Sequence, residues 1–298
     1  MSLPNAIIAG VNKAGTTSLF ASLSAHPDVA PSAVKETGYF LPARWGNPLD
    51  PIAIYSDYFS DSGNASVRLE ATPAYFYGGE SVIAAMRNAL SDDLKVLIIL
   101  REPVARFWSF FTFQKARLRI PKEMRAEDYL NTADQMTDED FANPDNERWF
   151  GFRGGSYVDY LPDWHESFGD RLEIVYFEDL MANPEEVLTR VAEFLCIDPA
   201  AFPSFALARE NQTTGYKRSG LQRIALAFNS RAERFLRRHY RLKDRLRSTY
   251  YRINGSAKKE AMSSEVRRDL ENRYASPNDG LRTQLVAMAR PLPSWLKV

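Results

Sequence analysis

The segment Lys95-Val96-Leu97-Ile98-Ile99-Leu100 carries no polar–apolar alternation: five apolar side chains run unbroken, and three of them are β-branched. A strand of that kind has both faces covered, which suits the interior of a parallel sheet held between layers of helices. Ala6-Ile7-Ile8-Ala9 has the same character; Val67-Arg68-Leu69-Glu70 reads as a further strand, and so does Leu172 to Phe177. Amphipathic stretches lie between them. Thr16 to Ala25 places Leu19, Phe20 and Leu23 on one helical face, Pro103 stands where a first helical turn tolerates its missing N–H, and Glu185 to Leu195 follows Asn183-Pro184. The alternation predicts an α/β fold, a P-loop-like parallel β-sheet flanked by helices.

Length and patterning predict one domain over residues 1–298, without internal repeats. Residues 119–150 are polar and poor in periodicity, with Asp138-Glu139-Asp140 at their centre, and read as an insertion or lid, or as a surface loop. From about Leu221 the chain turns Arg-rich, so 221–298 is expected to be a helical C-terminal part whose cations, from Arg231 to Arg247, form a solvated face. The 38 basic and 38 acidic side chains cancel, which argues against a nucleic-acid partner, since that affinity rests on an excess of Lys and Arg. Cys196, the single cysteine, excludes a disulfide within the chain and a cysteine-based metal site; in Phe194-Leu195-Cys196-Ile197 it reads as a buried, inert thiol. No apolar run approaches the roughly 20 residues of a membrane span. The N-terminus has neither a basic region nor a long apolar core, so a cytoplasmic location is expected.

The first strand runs into Gly10-Val11-Asn12-Lys13-Ala14-Gly15-Thr16-Thr17-Ser18 and then a helix. Strand, glycine loop and helix N-terminus together make an anion site, because amide groups and the helix dipole both favour a phosphate or sulfate there. Thr16, Thr17 and Ser18 add hydroxyl donors, and Lys13 adds charge. Gly10 and Gly15 have the spacing of the nucleotide P-loop, but Thr16 stands where that loop needs lysine. Arg101 likewise follows Leu100 where a magnesium-binding aspartate is expected. Lys13-Ala14-Gly15-Thr16-Thr17-Ser18-Leu19 resembles the 5′-phosphosulfate loop of sulfotransferases, in the K-x-G-T-T-x-L form of heparan sulfate and related bacterial enzymes. The resemblance implies the sulfotransferase fold, the donor 3′-phosphoadenosine 5′-phosphosulfate (PAPS), its product PAP, and donor contacts from Lys13, Ala14, Gly15, Thr16, Thr17 and Ser18.

A second motif follows the central strand. Arg101-Glu102-Pro103-Val104-Ala105-Arg106-Phe107-Trp108-Ser109 begins at a strand end, where α/β sheets bind ligands, and a guanidinium there can hold a phosphate. A pairing of Arg101 with a carboxylate, and Ser109 as plain helix surface, is the alternative. R-x-P-x-x-R-x-x-S resembles the family's 3′-phosphate motif, which implies that Arg101 and Ser109 grip the donor's 3′-phosphate. Leu69-Glu70-Ala71-Thr72-Pro73-Ala74-Tyr75 is similar to the family's E-x-[ST]-P-x-Y segment; several glycan sulfotransferases carry a lysine where Ala71 stands. Gly155-Ser156-Tyr157 through Leu161 and Trp164, and Tyr176-Phe177-Glu178-Asp179-Leu180, also resemble family segments. Thr213 to Arg218 falls where a basic loop covers the nucleotide, which implies Lys217 and Arg218 as donor contacts, with solvated charges as the alternative.

Sulfuryl transfer needs a base for the acceptor and a cation for the departing phosphate oxygen. The resemblance gives the cation to Lys13 and the base to Glu36, in Val34-Lys35-Glu36-Thr37-Gly38-Tyr39-Phe40, which is similar to the K-E-x-x-[FY]-F signature; the alternative is a surface Lys–Glu pair. His26 at a helix end, His165 and His239 have no partner at metal-ligand spacing, so no metal is expected. Tyr39, Phe40, Trp45, Tyr75, Tyr77 and Trp149 either line an acceptor cleft or belong to the core. The sequence thus predicts a PAPS-dependent sulfotransferase acting on a hydroxyl or amine of a small molecule, glycan or lipid. A P-loop kinase or NTPase, and a non-catalytic PAP-binding protein, are the alternatives from other classes. Oligomeric state has no signature here.

Overall fold

The computed structural model describes residues 2–205, 207, 215–216, 218–231, 250, 254–256 and 260–297. Five parallel strands form one sheet: β1 (Ala6–Gly10), β2 (Val29–Pro31), β3 (Val67–Ala71), β4 (Lys95–Leu100) and β5 (Leu172–Tyr176), in the spatial order β2-β3-β1-β4-β5. β1 lies at the centre, with Ala6 opposite Leu69 of β3 and Lys95 of β4. All five residues of β1 and of β5 are buried, as the lack of alternation requires.

Helices cover both faces. They include α1 (Thr16–Leu23), α2 (Leu41–Arg44), α3 (Ile52–Asp57), α4 (Gly79–Ala89), α5 (Pro103–Ala116), α6 (Ala126–Asp134), α7 (Asp138–Phe141), α8 (Leu161–Phe168), α9 (Phe177–Ala182) and α10 (Pro184–Leu195). Pro103 and Pro184 open α5 and α10, where a missing N–H costs nothing. Tyr157, Leu161 and Trp164 are buried, and the Trp164 indole N–H donates to the carbonyl of Phe76 (3.0 Å), tying α8 to the turn after β3.

Two expectations change. Cys196 is exposed: the chain leaves α10 through it in the left-handed conformation (φ 61°), and Lys95 Nζ lies 3.0 Å from its sulfur. Residues 119–150 carry regular structure. α6, α7 and a 3₁₀ turn at Pro144–Trp149 account for most of the segment, and Asp138-Glu139-Asp140 is the acidic first turn of α7, capped reciprocally by Thr137 and Asp140. Ile120, Ala126, Tyr129 and Leu130 pack with Val104, Phe107 and Phe111 of α5, and with Val266, Leu270 and Tyr274 of the long C-terminal helix Ser264–Ala287. Arg273 of that helix pairs with Asp134 of α6 at 2.8 Å.

Short β2 escapes sequence reading because three residues ending in proline show no period; a proline there is tolerated at a sheet edge. A helix over Ser219–Arg231 opens the C-terminal part, and most of the basic run 231–247 lies outside the described residues, as does His239. No helix among the described residues is long and apolar enough to cross a membrane.

The sheet's central strands carry the fold, so Leu97→Ala in β4, where the side chain is fully buried, should cost about 2–5 kcal/mol. Urea denaturation followed by tryptophan fluorescence measures this, and a loss well below 1 kcal/mol would contradict the assigned burial.

Candidate active site

The loop from β1 to α1 stands at the carboxyl end of the sheet, where α/β folds bind ligands. Its geometry demands glycine twice. Gly15 has φ +86°, and a Cβ on it would lie 2.7 Å from the Phe177 ring; a Cβ on Gly10 would lie 2.7 Å from Phe76 Cβ. Gly15 caps the N-terminus of α1, so the helix opens on Thr16, Thr17 and Ser18 with its amide end facing the loop. Ala14, Thr16 and Ser18 are buried.

Arg101 leaves β4 beside this loop. Its Nη1 donates to the carbonyl of Lys13 (3.0 Å), its guanidinium lies over the Phe177 ring at 4.4 Å, and its Nε is buried without a hydrogen-bond partner. Among the described residues no carboxylate lies within ion-pair distance of Arg101, although the charges of Glu178 and Glu102 act on it against burial. Glu178 instead accepts from the amide of Glu102 (3.0 Å) and from the Trp295 indole (3.2 Å), and Glu102 caps α5 by accepting from Val104 and Ala105.

Lys13 has φ 71° and sets its Nζ 4.2 Å from the centre of the Phe113 ring. Ser109 precedes Phe113 by one helical turn, so it occupies the face of α5 that approaches Lys13. Burial lowers the Lys13 pKa to about 8, with Arg101, Arg117 and Arg106 pushing the same way, while the charge of Glu36 opposes them. That opposition places the Glu36 carboxylate within electrostatic reach of Lys13.

Glu36 itself lies in a turn held to β3: its amide donates to the Ala71 carbonyl (2.9 Å), and its φ is 64°. The side chain is 57% exposed and accepts from Lys35 Nζ at 2.6 Å. It sits in the open rather than sealed among aromatics. Lys13 and Glu36 are two of five non-glycine residues with positive φ among those described, and such conformations persist only where the surroundings over-determine them.

Residues 3–211 match the family model for the sulfotransferase domain. The chain belongs to the sulfotransferase family. Over 195 residues, 65% of its length, it is 30% identical to mouse heparan sulfate glucosamine 3-O-sulfotransferase 3B1, covering 46% of that protein. Against the bifunctional heparan sulfate N-deacetylase/N-sulfotransferase 1 of Caenorhabditis briggsae it is 25% identical over 305 residues, 99% of this chain and 32% of the relative. The chain thus spans under half the length of either relative. A solved sulfotransferase from Alicyclobacillus acidocaldarius shares the fold at a TM-score of 0.72 and 18% identity, with 99% of both chains covered.

In this sulfotransferase the loop residues Lys13 to Ser18, Arg101, Ser109 and Glu36 all lie at the carboxyl ends of β1, β3 and β4 or on the helices that follow. Lys217 lies outside the described residues. Arg218 is exposed, and its backbone exchanges hydrogen bonds with Asn254 (2.8 and 3.1 Å). His26 is structural: buried, it accepts from the Asp28 amide through Nδ1 and meets the Asp198 carbonyl at 2.8 Å. Tyr39, Phe40, Tyr75 and Tyr77 are core, while Trp45 and Trp149 are half-buried. Among the described residues no group of three or more His, Cys, Asp or Glu is placed to hold a metal ion.

Several supporting residues were not singled out by the sequence. Arg106 is fully buried and donates to the carbonyls of Gly151 (2.5 Å) and Asn12 (3.5 Å) and to Tyr77 (3.3 Å), bracing the loop from beneath. Its place in the R-x-P-x-x-R-x-x-S run was the available signal. Phe177, against which Gly15 lies, stood in a family-like segment with nothing to mark its contact, and Phe113, against which Lys13 lies, carried no signal, since contact across a fold leaves no local pattern. Gly15→Ala combines a left-handed φ with a 2.7 Å contact, and is expected to destabilise the protein by about 1–3 kcal/mol and to abolish stabilisation by added sulfate or pyrophosphate. Thermal melts with and without the anions test it; an unchanged anion response would contradict the loop as the anion site.

Proposed function

We propose that this sulfotransferase moves a sulfuryl group from PAPS to an acceptor hydroxyl or amine. The observation that carries the reading is that Lys13, in the glycine loop, lies within electrostatic reach both of Arg101, Arg117 and Arg106 and of the Glu36 carboxylate. The arrangement suits an anionic donor. Arg101 has a buried, unused Nε, Thr16 and Ser18 open a helix, and the Gly15 cradle tolerates no side chain.

In this reading the loop amides, with Lys13, Thr16, Thr17 and Ser18, hold the donor's 5′-phosphosulfate, and Arg101 with Ser109 holds its 3′-phosphate. The donor supplies an activated sulfuryl group. Glu36 accepts the acceptor's proton as the acceptor oxygen or nitrogen bonds to sulfur and the bond from sulfur to the phosphate oxygen breaks. Lys13 faces the charge left on that oxygen, and a cation already in place for developing charge lowers the barrier. Being exposed, Glu36 then returns its proton to water. Both the absence of lysine after Gly15 and the presence of Arg101, where a magnesium-binding aspartate is expected, favour this reading over ATP chemistry.

Names of the relatives point to glucosamine-bearing glycans as the first acceptors to try. Ala71, where several glycan enzymes carry lysine, is buried beneath the Glu36 turn, so acceptor contacts need not copy theirs. Incubation with ³⁵S-labelled PAPS and glycan, lipid and small phenol acceptors should label one class. Glu36→Gln should lower that turnover by at least 10²-fold, and near wild-type turnover in the variant would remove Glu36 as the base.

The depressed Lys13 pKa gives a pH signature. Before a nucleotide binds, Lys13 loses its proton near pH 8, whereas a bound phosphate favours the ammonium, so PAP binding above pH 8 should take up a proton and weaken as pH rises. Calorimetry in buffers of different ionisation enthalpy measures the uptake. Lys13→Ala should abolish it, and equal uptake in that variant would assign it to another group.

A further inference from the structure

Glu70 stands in β3 and is fully buried, although no arginine or lysine is among the partners that set its pKa. A buried carboxylate is costly unless hydrogen-bonded, and three hydroxyls converge on this one. Thr37 (3.0 Å) and Thr72 (2.5 Å) donate to Oε1, and Tyr55 of α3 (3.2 Å) donates to Oε2. Burial raises its pKa to about 7, with the hydrogen bonds from Thr72, Thr37, Tyr55 and Tyr75 opposing.

The threonines belong to the apparatus that presents Glu36. Thr37 follows Glu36 directly. Thr72 accepts from the Gly38 amide (3.2 Å) while donating to Glu70, and the Tyr75 hydroxyl accepts from the Phe40 amide (3.3 Å). The Glu36 amide donates to Ala71, the residue after Glu70. Glu36 and Gly38 are both left-handed, at φ 64° and 68°. That conformation is unfavourable for a residue with a Cβ, so the turn needs outside support.

We propose that Glu70 is a positioning residue whose carboxylate, gripping Thr37 and Thr72, holds the turn that sets Glu36 opposite Lys13. Its catalytic consequence rests on Glu36 being the base; its geometric content does not.

Lys13 reports the geometry without any acceptor, because the nearby Glu36 charge raises its pKa against Arg101, Arg106 and Arg117. Competitive labelling of Lys13 with an amine-reactive reagent across pH, read by mass spectrometry on the full chain, gives its titration. Glu36→Gln should lower the Lys13 pKa and so set the scale. Glu70→Ala should lower it by at least half as much, with PAP affinity at pH 7 within about twofold of wild type. Glu70→Gln, which keeps an oxygen for both threonines, should titrate like wild type. If Glu70→Ala does not fold by circular dichroism, Thr37→Val, which removes one of the links, carries the test. A wild-type Lys13 titration in folded Glu70→Ala, or in Thr37→Val where that variant carries the test, overturns the proposal, and so does one in Glu36→Gln. Undiminished turnover in Glu36→Gln would overturn only the base and leave the positioning role intact.

Discussion

Lys13 and Arg101 meet at the carboxyl ends of β1 and β4, with Arg106 and Arg117 of the following helix within electrostatic reach, and burial disfavours the charges of Lys13 and Arg101. Burial first, and the neighbouring arginines second, bring the Lys13 pKa down to about 8. The surrounding structure is arranged to hold cations that repel. Arg101 is fixed by the carbonyl of Lys13 and by the face of Phe177, Arg106 by backbone carbonyls and Tyr77, and Lys13 by the ring of Phe113. Carbonyl and aromatic partners orient a cation without neutralising it. The positive field therefore stays available to an anionic ligand.

The sheet explains how these groups meet. β1 lies between β3 and β4, so the loop after it has the Glu36 turn on one flank and Arg101 on the other. Acid and cations reach the same edge from different strands, and the two sides differ in exposure. Glu36 faces solvent, whereas Arg101 is half-buried and Arg106 fully buried.

Much of this was legible in the sequence. β1 and β4 announce themselves through unbroken apolar runs, and the glycine loop and R-x-P-x-x-R-x-x-S run sit directly after them. β2 was hidden because an edge strand of three residues has no period to show. The helices within 119–150 were hidden because acidic caps and short turns dilute their apolar positions, and only Ala126, Tyr129 and Leu130 mark the buried side of α6. Cys196 misled because its apolar neighbours suggested burial, while the left-handed exit from α10 turns it outward. Glu70 was read as part of a motif, but its burial depends on hydroxyls from three separate segments, which no local pattern encodes.

The central claim is that the site at β1 and β4 recognises two phosphates of one nucleotide. Calorimetric titration of the protein with PAP and with AMP, which lacks the 3′-phosphate, tests it most directly. The account predicts that PAP binds at least tenfold more tightly, a difference of about 1.4 kcal/mol or more, as expected for a charged hydrogen bond to the additional phosphate. Equal affinity for the two nucleotides would contradict it.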